Sequence, residues 1–166
     1  MYYTLKVETN GDVSGPHFYV EKPAELPTDE IECTEAQAQS ASMWAVVNGS
    51  VVAKPPTSAQ QAIAALAAGL TISSTSTPAI NGTYATDDAG QARLNRVYSM
   101  IERAGGVFPS GLTSMPWPLA DGTVVEFPSV SVFLNVEQAI GEYVLALDLI
   151  RTTNSGTLPS ASVTIA

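Results

Sequence analysis

The most regular hydrophobic pattern of the chain lies between positions 129 and 153. Apolar side chains recur there at intervals of three and four residues, as they do along one face of an α-helix. The pattern predicts an amphipathic core helix that begins at Ser129 or Ser131 and whose inner face carries Phe133, Val136, Ile140, Tyr143, Val144, Leu147 and Ile150. A similar pattern predicts a second helix from Asp88 to about Ala104, with Leu94, Val97, Tyr98 and Ile101 on one face.

The boundaries of this second helix are marked by polar and flexible residues. Asp88 precedes Gln91 by three positions, which is the spacing of a capping box, and a carboxylate at a helix start also interacts favourably with the helix dipole. Gly105 and Gly106 end the pattern. We therefore read the acidic pair Asp87 and Asp88 as a helix start.

Alternation of apolar and hydroxyl side chains predicts strands on both sides of that helix. The segment LTISST (70–75) alternates, STPAING turns, and TYAT (83–86) continues, which indicates a pair of strands. SVTI (162–165) repeats the alternation, and we expect it to pair with LTIS. Another strand is predicted at TVVEF (123–127), after a tight turn at Asp121 and Gly122.

The first 54 residues predict a small β-rich unit. YYTLKV (2–7) and HFYVE (17–21) are rich in aromatic and β-branched residues, which favour strands. In MWAVVNGSVVAK (43–54), two apolar arms flank Asn48 and Gly49, the pair that a type I′ hairpin turn favours. Between them, Thr34 and Gln37 have capping-box spacing and predict a short helix.

Two consecutive prolines, Pro55 and Pro56, mark a boundary, because neither can donate a ladder hydrogen bond and both favour an extended backbone. After them, Ser58 and Gln61 predict the start of a short helix that stops at Gly69, with Ile63, Leu66 and Leu70 along one face. This helix is either a linker or the entry to the second domain. The sequence thus predicts an α+β protein with a β-rich domain at 1–54, a connector with a short helix at 55–69, and an α+β domain with two amphipathic helices and a few short antiparallel strands at 70–166.

The charge balance limits the partners of the chain. Sixteen acidic and seven basic residues give a formal charge of −9, which argues against a nucleic acid or an anionic membrane surface as a partner. The longest uninterrupted apolar run, Ala62 to Leu70, is much shorter than the roughly 20 residues that cross a bilayer, so we expect no membrane insertion. The single Cys33 has no partner for an internal disulfide or for a metal site.

Residues capable of chemistry are few. The only histidine, His17, stands in a predicted strand with no nucleophile beside it, so we interpret it as structural or surface-exposed. The pair Asp29 and Glu30 fits a solvated loop. No phosphate-binding glycine loop and no hydrolase motif is present. The sequence predicts a protein without enzymatic activity, metal or cofactor.

Four aromatic residues are candidates for contact with a partner, namely Tyr2, Tyr3, Trp44 and Trp117. For Trp44, which borders the predicted hairpin, packing in the core is the alternative. Trp117 stands between two prolines in a predicted loop, where it either covers the core or meets a partner. The same four rings could also stack on a sugar.

The chain from about residue 66 to residue 166 resembles a domain of unknown function found in tail proteins of phages and prophages. The resemblance lies in four segments that occur in the same order, LTISSTSTPAINGTYA, PWPLADGTVVEFPS, FLNVEQAIGEYVLALDLI and GTLPSASVTI. The first part is similar to the N-terminal region of phage tail-fibre assembly proteins, through its Tyr-rich start, PTDEIECTEAQAQS and WAVVNGSVVAKPP. It lacks the long charged or Gln-rich coiled region that fibre-assembly proteins often carry.

The resemblance implies a non-enzymatic structural component of a phage tail, tail fibre or baseplate, made in the cytoplasm of the host bacterium and carried in the virion. Its partners would be other tail or tail-fibre proteins, and it would be present in multiple copies in a symmetric assembly. The alternative is a tail-fibre assembly chaperone that is absent from the mature virion. A third hypothesis, a cell-wall hydrolase, would need carboxylates such as Asp87, Asp88, Glu137 and Glu142 in a cleft.

Overall fold

A computed structural model describes residues 1–166. The chain contains both helices and strands and has the predicted α+β architecture. It divides between Pro55 and Pro56 into two units. We call Met1–Pro55 unit 1 and Pro56–Ala166 unit 2, and describe each separately. The short helix that follows the prolines belongs to unit 2, because its Ala62 and Leu66 are buried in the core of that unit.

Unit 1 is built on a three-stranded antiparallel sheet with β1 in the centre. Its elements are β1 (Tyr2–Val7), β2 (Val13–Tyr19), β3 (Glu30–Cys33), α1 (Glu35–Gln39), β4 (Trp44–Val47) and β5 (Ser50–Ala53). The last two strands form the predicted hairpin, and Asn48 and Gly49 at its tip have φ angles of 49° and 74°, as a type I′ turn requires. The predicted capping box of Thr34 and Gln37 is confirmed at the start of α1.

Unit 2 places a three-stranded sheet and a separate hairpin against three helices. Its elements are α2 (Ser58–Ala68), β6 (Leu70–Ser74), β7 (Gly82–Tyr84), α3 (Asp88–Arg103), β8 (Met115–Pro118), β9 (Val124–Phe127), α4 (Val130–Thr153) and β10 (Ser162–Ile165). In the sheet, β6 lies between β7, which is antiparallel to it, and β10. The predicted pairing of SVTI with LTIS is confirmed, and the two strands run parallel.

The core of unit 2 is organised around α4. All seven residues that the spacing assigned to its inner face are buried, and Ser129 is the N-cap, with its side chain accepting a hydrogen bond from the Val132 backbone. A cluster of aromatic rings packs beside this face: the centroids of Phe127 and Phe133 are 5.4 Å apart in an edge-to-face arrangement, and those of Trp117 and Phe133 are 5.8 Å apart. Such edge-to-face contacts are favourable for aromatic rings.

Two predicted helix starts are wrong by one residue. The N-cap of α2 is Thr57, which forms a complete capping box with Gln60, so Ser58 is already helical. The N-cap of α3 is Asp87, whose Oδ1 accepts a hydrogen bond of 2.8 Å from the Gly90 backbone, while Asp88 lies in the first turn.

The predicted inner face of α2 is also partly wrong. Ile63 is exposed, whereas Ala62 and Leu66 are buried. A small alanine fills the position that faces the core, and the larger isoleucine lies to one side of it. In a helix so rich in alanine, side-chain size therefore does not identify the buried face.

By length and apolar composition alone, α4 could cross a membrane, although about a third of its most apolar window is buried inside the structure. The sequence did not suggest this, because polar residues interrupt every apolar run in the helix. Core helices of water-soluble proteins have the same property when one face is buried. In α4, apolar residues lie on the outer face as well as on the buried face, and both contribute to its high apolar content.

Candidate partner-binding site

The four aromatic residues predicted to meet a partner do not form one surface. Tyr2 and Tyr3 are neighbours in β1, so their side chains lie on opposite faces of the sheet. Each has an aromatic neighbour on the adjacent strand β2. The ring centroid of Tyr2 lies 6.5 Å from that of Tyr19, and the ring centroid of Tyr3 lies 5.6 Å from that of Phe18. Tyr2 and Tyr3 are therefore half-buried sheet residues whose rings already have aromatic neighbours.

The two tryptophans have contacts inside their own units. Trp44 begins β4, is partly buried, and donates a hydrogen bond of 3.0 Å from Nε1 to the Ser40 hydroxyl. Trp117 lies in β8, where the sequence predicted a loop, and only 5% of its surface is exposed. Of the two roles open to Trp117, its burial in the core cluster of unit 2 supports the core.

One face of the sheet of unit 1 carries a buried carboxylate, that of Glu30. Glu30 was expected in a solvated loop, but it begins β3 and its side chain is only 5% exposed. Its Oε2 accepts hydrogen bonds from the Thr4 hydroxyl at 2.6 Å and the Tyr19 hydroxyl at 2.9 Å. Its Oε1 lies 2.5 Å from Nδ1 of His17.

These contacts stabilise the ionised form of Glu30. The hydrogen bond from Thr4 is the main cause that lowers the pKa of Glu30, and burial opposes it. The hydrogen bond to Glu30 in turn raises the pKa of Tyr19. Because Oε2 accepts from Thr4 of β1 and Tyr19 of β2, and Oε1 lies beside His17 of β2, the carboxylate joins the three strands of the sheet.

We expect unit 1 to lose stability as the pH falls below the ordinary Glu value of 4.5. The folded form lowers the pKa of Glu30, so it binds this proton less readily than the unfolded chain does, and protonation favours unfolding. The stabilisation is complete above the ordinary value and is lost as the pH falls through the folded pKa. Urea titrations between about pH 6 and pH 3, followed by NMR signals of unit 1, would measure this loss.

The matched variants for this measurement are Glu30→Gln and Glu21→Gln. Glu21 is exposed, so Glu21→Gln makes the same chemical change away from the sheet contacts of Glu30 and serves as the control. Glu30→Gln should lower stability at neutral pH and flatten the dependence on pH. Equal pH profiles for Glu30→Gln and the wild type would contradict the role given to this carboxylate.

The other acidic candidates do not meet at one site, because Asp87 and Asp88 lie apart from Glu137 and Glu142. Asp87 caps α3, and both Asp87 and Asp88 line an open cavity of about 460 Å³ together with Gln91 and Arg151. Glu142 lies on α4, where its Oε1 accepts a hydrogen bond of 2.9 Å from the Gln138 side chain. No group of three or more His, Cys, Asp or Glu side chains is arranged to hold a metal ion. Glu137 and Glu142 do not line the cavity that holds Asp88.

The outer face of α4 is the feature of unit 2 that best fits a partner. Leu145 and Leu149 are 72% and 65% exposed, one helical turn apart, and lie opposite the buried stripe of the helix. Gly141 precedes Leu145 by one turn, and a Cβ atom built there would have no neighbour within 4 Å. The free chain therefore has open space at Gly141 and exposed apolar surface beside it. We call Gly141, Leu145 and Leu149 the outer patch.

The outer patch was not predicted from the sequence, because partner contacts were expected from aromatic side chains. A signal was nevertheless present. Leu145 and Leu149 fall off the three-and-four spacing that defines the buried face, at positions where a helix of a water-soluble protein usually carries polar side chains.

No protein-family model, no curated protein and no solved structure matches this chain.

Proposed function

We propose that the chain is a non-enzymatic structural component of a phage tail, tail fibre or baseplate that binds other tail proteins through the outer patch. The resemblance of residues 66–166 to a domain of phage and prophage tail proteins supports the kind of particle. The exposed Leu145 and Leu149 support the binding role and carry the proposal.

The physical reason is the free energy of burying these two side chains. Covering an exposed leucine contributes about 1.5–3 kcal/mol relative to leaving it in water. Gly141 adds a place where the backbone of a partner can come close, because no side chain of the same chain fills the space. In the helix itself, a glycine lowers stability by roughly 0.5–1 kcal/mol relative to alanine, so its presence has no benefit for the isolated fold.

The test is the composition of particles made by the phage or prophage that encodes the chain. We expect mass spectrometry of purified virions to find this protein. If the protein is made in the infected cell and is absent from mature particles, the structural role is wrong and the assembly chaperone takes its place.

The outer patch is tested with a paired replacement in the same phage. We expect Leu145→Ser with Leu149→Ser to reduce the amount of the protein in particles by about tenfold or more, which corresponds to losing at least 1.4 kcal/mol of binding free energy. Folding should be nearly unaffected, because replacements of exposed residues usually change stability by less than about 0.5 kcal/mol. Val107→Ser, at an exposed loop position, is the matched control. Normal incorporation of the double variant would show that the partner binds elsewhere.

A further inference from the structure

The open edge of the unit 2 sheet has backbone groups without partners. β10 pairs only with β6, so its other side has no neighbouring strand. The carbonyl groups of Ala161 and Ile165 are directed towards β6. They accept hydrogen bonds from the backbone N–H groups of Thr71 at 2.9 Å and of Thr75 at 3.0 Å. Because successive residues of a strand direct their backbone groups to alternate sides, those of Ser162 and Thr164 are directed to the open edge.

The backbone groups of Ser162 and Thr164 differ in whether they have hydrogen-bond partners within the chain. The hydroxyl of Ser160 donates to the carbonyl of Ser162 at 2.8 Å and accepts from its N–H at 3.2 Å. Ser162 is therefore capped within the chain. Thr164 has no such cap, so its N–H and C=O are available to another strand.

A groove runs along this edge between β10 and α4. It consists of two adjoining cavities of about 350 Å³ and 220 Å³, which share Ala139, Glu142 and Val163 in their walls. Val163 and Ile165 are the side chains of β10 that pack towards the core, so the groove lies on the helix side of the sheet. A fourth strand beside β10 would direct every second side chain into it.

We infer that an extended segment of another polypeptide adds to β10 as a fourth strand, pairing at Thr164 and placing alternate side chains in the groove. The addition of a strand to a sheet edge uses main-chain hydrogen bonds for affinity and pockets for alternate side chains for specificity. Glu142 is the only charged side chain in the walls of the groove. The segment is therefore one with a lysine or arginine between apolar residues on its inward side.

This inference goes beyond the proposed function, because it concerns the backbone edge of β10 rather than the leucines of the outer patch, and it applies whichever particle contains the chain. Its test uses the purified chain of residues 1–166 and a synthetic peptide, so its failure would leave the virion experiment unaffected. The probe is Ac-TVTKTVS-NH2, which alternates hydroxyl residues with valine and lysine. One control peptide has glutamate in place of lysine, and another carries N-methyl groups on the amides that would face β10.

We expect the lysine peptide to shift the NMR signal of the Thr164 amide and the N-methylated peptide to leave it unchanged. Thr164→Pro removes the N–H from the edge and should weaken binding about tenfold or more, whereas Thr164→Val keeps the N–H and should bind like the wild type. Ser160→Ala frees the backbone groups of Ser162 and should tighten binding severalfold. Glu142→Lys should invert the preference between the lysine and glutamate peptides.

The opposite directions expected for Ser160→Ala and Thr164→Pro separate edge pairing from a general loss of folding. Three results would overturn the inference: equal affinity of Thr164→Pro and Thr164→Val, binding that does not affect the Thr164 amide, or equal binding of the N-methylated peptide. A dimer of the free protein that Thr164→Pro dissociates would also overturn it, since the occupant of the edge would then be β10 of a second copy.

Discussion

Replacing Phe133 with alanine is expected to lower the free energy of unfolding of unit 2 by about 3–5 kcal/mol. Phe133 is fully buried, and its ring has edge-to-face or tilted contacts with Phe127 and Trp117. Its removal leaves a cavity beside α4 and takes away aromatic contacts, so both the transfer of the side chain and the empty space contribute. Urea unfolding followed by NMR signals of unit 2 would measure the change.

The control is Leu145→Ala in the same helix. Leu145 is exposed, so its truncation should change the free energy of unfolding by less than about 0.5 kcal/mol. A loss below about 1 kcal/mol for Phe133→Ala would mean that the site collapses around the smaller side chain, and that the aromatic cluster is not the centre of the core.

The second large effect is expected at Gly90 in α3. A Cβ atom built there would lie 2.3 Å from the backbone oxygen of Ala85 and 2.7 Å from its carbonyl carbon. Backbone atoms cannot move aside as the end of a flexible side chain can, so Gly90→Ala should destabilise unit 2 by about 1–3 kcal/mol or more. The same urea titration measures it.

Gly141 offers a matched control, because it is also a helical glycine but has open space around it. We expect Gly141→Ala to stabilise unit 2 by about 0.5–1 kcal/mol, since alanine loses less backbone entropy in a helix. The two substitutions are chemically identical and should have opposite signs. Destabilisation by both would show that Gly141 has a role within the free fold, and would remove it from the outer patch.

The sequence predicts elements best where one periodic pattern extends over many residues. All seven residues predicted for the inner face of α4 are buried. Each apolar position of the helix indicates the same face, so one exception to the spacing does not change which face is predicted. Helix starts are less well determined, because adjacent residues compete. Thr57 with Gln60 and Ser58 with Gln61 have the same capping-box spacing, and only the folded chain distinguishes them: Gln61 instead donates a hydrogen bond to the Pro56 carbonyl.

Trp117 shows why flanking prolines were misleading. Prolines lack the N–H that a central strand needs, so Pro116 and Pro118 favoured a loop. β8, however, pairs only with β9, and a strand with one neighbour tolerates proline where the missing N–H would face away from the ladder. The intervening Trp117 then points into the core.

The site around Glu30 could not be read from local sequence. Thr4, His17 and Tyr19 surround this carboxylate only because β1 lies between β2 and β3 in a particular register, and that register depends on pairing across the whole unit. The outer patch is different in kind: its leucines were visible in the sequence, but their exposure became meaningful only once the opposite face of α4 was shown to be buried.

The parallel pairing of β10 with β6 also sets an order of events during synthesis. Thr75 and Ile165, which are 90 positions apart, meet at the end of this ladder, so the sheet of unit 2 is incomplete until the last strand has left the ribosome. The strands of unit 1 pair only with one another, within Met1–Pro55, so its sheet and hairpin can form while the rest of the chain is still being translated. Until β10 arrives, β6 has a bare edge, and the nascent chain passes through a stage in which other strands can compete for that position.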